Sequence, residues 1–185
     1  MNFNKNKKVE LHIHLDCSLS FDVAKKINPN ITKHQFIDQF IGIKCNSLKD
    51  YIKCADRAVE LMQTKKELEL VTSDLFKQLK EDNVIYAEIR FAPLLHLDKG
   101  LSPREVVKII SQITKKESSK TGIEAGLILC TLRHYSEQQS METVNLANDF
   151  KGSNVIGFDL AADEAGYPLK NHIEAFKFAI DNNIN

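Results

Sequence analysis

The chain has 185 residues, 43% of them hydrophobic and 27% charged, with 25 Lys+Arg balancing 25 Asp+Glu. That apolar share excludes wholesale disorder and collagen-like or coiled-coil classes. A net charge of zero argues against nucleic acid as a partner, because neutralising phosphates needs excess cation. The length allows one domain.

The first residues, Met1 to Lys8, are polar and basic and lead straight into Val9 and Glu10. With no apolar stretch behind them, no secretory signal is expected. No window approaches the roughly 18 consecutive apolar residues of a membrane helix, so no membrane association is expected either. Cys17, Cys45, Cys54 and Cys130 are scattered and form no C-x-x-C pair. Scattered thiols fit a reducing cytoplasm and give no zinc-finger spacing.

Along the chain, residues 9–15 alternate Val9, Leu11, Ile13 and Leu15 with Glu10, His12 and His14, which predicts a strand. Residues 18–83 form a long helical insertion. Within it, Ser47-Leu48-Lys49-Asp50 opens a helix with Leu48, Ile52, Ala55, Val59 and Met62 on one side. Leu68, Val71, Leu75 and Leu79 mark another. A second strand is read over 84–92. Ser102-Pro103-Arg104-Glu105 then supplies an N-cap, a first-turn proline and a capping-box carboxylate. Val106, Val107, Ile110 and Ile113 mark the buried face of that helix. Strands follow over 124–132 and 154–160, and Ile173, Phe176 and Ile180 mark the inner face of a last helix. The order β-(helices)-β-α-β-α-β-α implies an α/β protein with a parallel sheet. An insertion after the first strand would lie over the carboxyl end of that sheet or, alternatively, on its flank.

The first strand carries the most chemistry. On a strand, side chains alternate faces, so His12 and His14 project the same way, separated by about 6.6 Å of rise. Two imidazoles on one face can grip one divalent ion, and the alternative is two histidines satisfied by local hydrogen bonds. The flanks favour the metal. An apolar strand ending in His-x-His-x-Asp puts three polar side chains at the end of a buried element, where leaving them unpaired is costly. Asp16 has a second reading as the N-cap of the following helix, with Ser18 competing.

Lys8-Val9-Glu10-Leu11-His12-Ile13-His14-Leu15-Asp16 resembles the N-terminal signature of the adenosine deaminase family. Tyr86-Ala87-Glu88-Ile89-Arg90-Phe91-Ala92-Pro93, Leu129-Cys130-Thr131-Leu132-Arg133-His134 and Gly157-Phe158-Asp159-Leu160-Ala161-Ala162-Asp163-Glu164 resemble its second-, third- and fourth-strand motifs, in that order. The resemblance implies the first half of a TIM (β/α)8 barrel of the metallo-dependent hydrolase type, whose full length is about 250 residues. It implies one Zn2+ per complete site and hydrolytic deamination of adenosine or deoxyadenosine to inosine and ammonia, a step of purine salvage. By similarity, His12 and His14 are zinc ligands, and His14 also sits beside the nucleoside. Asp16 bonds the ribose 5′-hydroxyl, and the backbone N–H of Ala162 meets a purine ring nitrogen.

Two positions depart from the family pattern. Cys17 and Ala162 stand where the family usually has glycine, and Ala162 is tolerated without strain only if its φ is negative. Arg90, Arg133 and His134 are read as ion-pair or supporting groups. Asp159, Asp163 and Glu164 are read as packing and hydrogen-bonding groups, and His34, His96 and His172 as solvated. The family's third zinc histidine and its catalytic glutamate belong to a fifth strand, so this chain, treated as the N-terminal portion of one barrel domain over 1–185, is expected to be catalytically incomplete. Four strands leave two open edges, which predicts marginal stability, self-association or a complementing C-terminal half. Other readings are a deaminase of adenine or a modified nucleotide, and a non-catalytic barrel fragment that needs a partner half.

Overall fold

The computed structural model describes residues 6–41, 45 and 47–185. Four strands, β1 (Lys8–His14), β2 (Val84–Phe91), β3 (Glu124–Leu132) and β4 (Val155–Ala161), form one sheet in sequence order, each pair parallel. Between β1 and β2 run α1 (Phe21–Ile27), α2 (Lys33–Phe40), α3 (Leu48–Glu60) and α4 (Lys65–Glu81). Then α5 (Pro103–Thr121) joins β2 to β3, α6 (Glu137–Asp149) joins β3 to β4, and α7 (Ile173–Asp181) follows. Parallel pairing puts all four carboxyl ends on one edge of the sheet. No helix among the described residues is long and apolar enough to cross a membrane.

The helix starts follow from their caps. Ser102 accepts from the Glu105 N–H while Glu105 reaches back to the Ser102 N–H, and Thr64 with Glu67 and Ser136 with Gln139 do the same. The core lies between the sheet and α4, α5 and α6. Val71, Leu75 and Phe76 of α4, and Val106, Val107 and Ile110 of α5, are fully buried. They meet Ala87, Ile89, Leu127 and Leu129, which are equally buried. From Gly126 to Leu132 every residue of β3 is buried, as a central parallel strand covered on both faces requires.

One expected helix face is different. In α7, Ile173 and Ile180 are exposed and the buried residues are Ala175 and Ala179, with Phe176 half-buried against Phe158. The small alanines let α7 approach the rest of the fold closely, and the larger isoleucines fall on the outer side. In α3, Leu48, Ile52, Ala55 and Val59 lie on one side as expected and line a cavity at the sheet's carboxyl edge, while Met62, just beyond the helix, joins the main core. The insertion therefore covers the strand ends.

On the β1 edge, Val9 and Leu11 are 56% and 54% exposed. On the β4 edge, the Phe158 N–H donates to the Asn185 carbonyl at 2.8 Å. An apolar edge strand is a template for pairing with another chain. Replacing Val9 and Leu11 together by Thr is expected to reduce self-association, measured by light scattering, while changing stability by no more than about 0.5 kcal/mol per site. Association unaffected by the double substitution would contradict a role for the exposed β1 edge in pairing.

Candidate active site

The strand ends and the α3 roof enclose a cavity of about 330 Å³ whose walls include His12, His14, Asp16, Asp159 and Ala162. His12 and His14 do share a face, and their Nε2 atoms converge to 3.2 Å. Two nitrogens bound tetrahedrally to zinc at about 2.0–2.1 Å lie about 3.3–3.4 Å apart, so this pair fits two corners of one zinc site. Among the described residues no group of three or more His, Cys, Asp or Glu is gathered in a way that could hold a metal ion. Two imidazoles alone fall short of the three protein ligands of a catalytic zinc site.

Arg90 underpins the pair from β2. Its guanidinium forms an ion pair with Asp159 of β4 and donates to the Leu11 carbonyl at 3.1 Å, tying three strands together behind the histidines. Burial holds His14 below the usual imidazole value of 6.5. The neighbouring Asp16 and Asp159 act in the opposite direction, while His12 and Arg90 add to the lowering. A neutral imidazole is the form that binds metal. As the pH falls through 6.5 the unfolded chain takes up a proton that folded His14 resists, so stability drops on acidification. The urea midpoint is expected to fall as the pH is lowered through 6.5, and His14→Gln is expected to flatten that fall. An identical pH profile in the variant would contradict this origin.

Asp16 is only 6% exposed and is fully engaged on its inner side. Its Oδ2 accepts the Ala92 N–H at 3.1 Å, and its Oδ1 lies 3.0 Å from Nε2 of His96. It is not a helix cap: Ser20 caps α1, and the Ser18 hydroxyl donates to the His14 carbonyl. The expectation that His96 and His172 are solvated is incorrect, since both are completely buried. His172 sits between the Ser140 hydroxyl (2.6 Å) and the Arg133 carbonyl (3.1 Å), holding the β3 and β4 loops together. His34 is exposed, as read, and pairs with Asp38 on its own helix. Arg133 pairs with Glu164. His134 stands edge-on to Tyr135 and Tyr167 at the cavity rim.

The two positions where glycine was expected behave differently. Cys17 lies in a short 3-10 turn, and the backbone there does not have a positive φ. Ala162 has φ +86°, a left-handed conformation that an L-residue adopts at a cost of about 1–2 kcal/mol. Ala162→Gly is therefore expected to raise stability by about 0.5–1 kcal/mol, after allowing for the greater freedom of glycine in the unfolded chain. A denaturation midpoint lowered by that substitution would contradict the strain.

A four-stranded parallel sheet with a histidine pair at its carboxyl edge defines a half-barrel of the metal-dependent hydrolase type. Residues 7–185 match the family model for adenosine deaminase, and the chain belongs to the adenosine deaminase family. It is 39% identical over 185 residues to an adenosine deaminase of Clostridium acetobutylicum, and 35% identical over 187 residues to that of Clostridium perfringens. These alignments take 96% and 97% of this chain but 55% and 56% of the relatives, so the chain spans about half the length of the curated relatives it matches. In fold it is similar to Arabidopsis ADAL crystallised with IMP (TM-score 0.85, 22% identity, 99% of this chain and 57% of that one). It is similar too to an amidohydrolase of Burkholderia ambifaria with bound Zn (TM-score 0.84, 18% identity, 99% and 51%).

Proposed function

We propose that this chain supplies the nucleoside-facing wall and two zinc ligands of an adenosine deaminase converting adenosine or deoxyadenosine to inosine and ammonia in purine salvage. The observation that carries the reading is the convergence of His12 and His14 beside Asp16 in one cavity, in a chain of the adenosine deaminase family. The chemistry that zinc supplies when bound is acidification of water, which provides a nucleophile near neutral pH.

This chain's own residues do the rest of what is proposed. His12 and His14 present neutral nitrogens to the metal, steadied from behind by Arg90 and its partner Asp159. Asp16 keeps one acceptor direction open to the cavity for the sugar 5′-hydroxyl. The Ala162 N–H points its donor at a purine ring nitrogen, and the apolar α3 face excludes water from the base. We further propose that these 185 residues alone do not turn over substrate, because a catalytic zinc site uses three protein ligands and the attack needs a general acid/base. A polypeptide completing the barrel is the proposed partner, and the cytoplasm the proposed location.

The test is ammonia release from adenosine with zinc present. No turnover above background is expected from the 185-residue chain alone. The same chain, continued or complemented by a segment carrying a third ligand and a carboxylate, is expected to make inosine and to prefer adenosine over adenine and N6-methyl-AMP. His12→Ala or His14→Ala is expected to cut that activity by about 10²–10⁴-fold. Turnover by the chain alone, or a completed site indifferent to both substitutions, would contradict the proposal.

A further inference from the structure

We propose that His96 is a positioning residue that makes Asp16 an acceptor for a sugar hydroxyl; this rests on the reading of Asp16 given above. His96 has no exposed surface and uses both ring nitrogens. Its Nδ1 lies 2.9 Å from the Met62 carbonyl, which can only accept, so Nδ1 carries a proton. In a neutral ring that leaves Nε2 as an acceptor, yet Nε2 faces the Asp16 carboxylate at 3.0 Å, and two acceptors do not bond. A proton therefore lies between Nε2 and Oδ1.

The other oxygen, Oδ2, already accepts the Ala92 N–H. With one oxygen committed to His96 and the other oriented by a backbone donor, Asp16 turns only lone pairs toward the cavity. It can take a hydroxyl proton there. An anionic group in that position, such as a phosphate monoester, offers only acceptors and is refused. The carboxylate cannot swing away, because His96 is itself locked. Met62 lies just past the end of α3, and the adjacent Gln63, 2% exposed, donates to the Val59 and Leu95 carbonyls at 2.8 Å each. Gln63 also accepts the Asp98 N–H at 3.0 Å. The roof, the loop after β2 and the end of β1 are thus joined through one imidazole.

The two conservative variants separate a positioning role from a packing role. The side-chain amide of His96→Gln reaches where Nε2 stood and keeps a donor for Asp16, losing Met62. His96→Asn reaches only where Nδ1 stood and keeps Met62, losing Asp16. Binding of adenosine and of 5′-deoxyadenosine to the 185-residue chain is to be measured by NMR titration. The Ala92 amide is the reporter, since it bonds Asp16 directly. Wild type is expected to prefer adenosine by about tenfold, the worth of one hydrogen bond to a charged acceptor. His96→Gln is expected to retain that preference, while His96→Asn and Asp16→Ala bring the ratio close to one.

A ratio lost in Asp16→Ala but kept in His96→Asn overturns the role of His96 alone. Equal loss in both His96 variants also overturns it, by showing that the ring is needed only for packing. A wild-type chain that binds both alike overturns the reading of Asp16 itself, and one that binds neither leaves the decision to the proton shared by Asp16 and His96. Should either variant fail to fold, the wild-type chain still decides. The shared proton must give a slowly exchanging downfield resonance that disappears in Asp16→Ala, and its absence overturns the proposal.

Discussion

A carboxylate buried as deeply as Asp16 must be compensated, and the way this one is compensated organises the carboxyl edge of the sheet. Leaving such a group unpaired would cost several kcal/mol, enough to consume much of a domain's stability. Its two partners come from the Ala92 backbone at the end of β2 and from His96 in the loop beyond. His96 in turn holds the Met62 carbonyl in the segment that follows α3. The roof over the cavity, the loop that follows β2 and the strand bearing His12 and His14 are therefore not independent pieces. The site's shape is a consequence of satisfying one buried charge.

A charged pair does the corresponding work behind the histidines. Arg90 reaches across to Asp159 and to the Leu11 carbonyl, so β1, β2 and β4 share one guanidinium at the level of His12 and His14. That anchorage matters because the β1–β2 register is interrupted between Glu10 and Ile13, where ladder hydrogen bonds alone would leave the histidines loosely held. Ala162 closes the cavity from β4 in a conformation that glycine would adopt freely, so the wall nearest the proposed purine contact is the strained one. Strain kept at a ligand-facing backbone donor is a common compromise between stability and site geometry.

Much of this was legible in the sequence, and what was not has identifiable causes. The four strands fall within a residue or two of their expected bounds because alternation and β-branched runs are local signals. The Ser102 cap and the Leu68–Leu79 face are local too, and both are realised. The α7 face was misread because size outweighed spacing: Ile173 and Ile180 look like core, yet Ala175 and Ala179 permit the close approach. Leu48, Ile52 and Val59 have the right period, but periodicity does not say whether an apolar face meets a core or a cavity. His96 lies in the apolar run Leu94-Leu95-His96-Leu97, a usable local sign of burial. Its partners, Asp16 and Met62, lie 80 and 34 residues away, and no local pattern reports them. His172 follows the same logic, with Ser140 supplied by α6 and Arg133 by the loop after β3.

His12 and His14 are proposed to form one metal-gripping pair that supplies two of the three protein ligands of a catalytic zinc site. Zinc titration of the 185-residue chain, followed by isothermal calorimetry with Co2+ spectra as a check on coordination, tests it most directly. Weak binding at one ion per chain is predicted, abolished by either His12→Ala or His14→Ala, with Co2+ spectra lacking the intense bands of a closed tetrahedral site. Tight stoichiometric binding with a tetrahedral spectrum, or binding that survives both substitutions, would contradict the account.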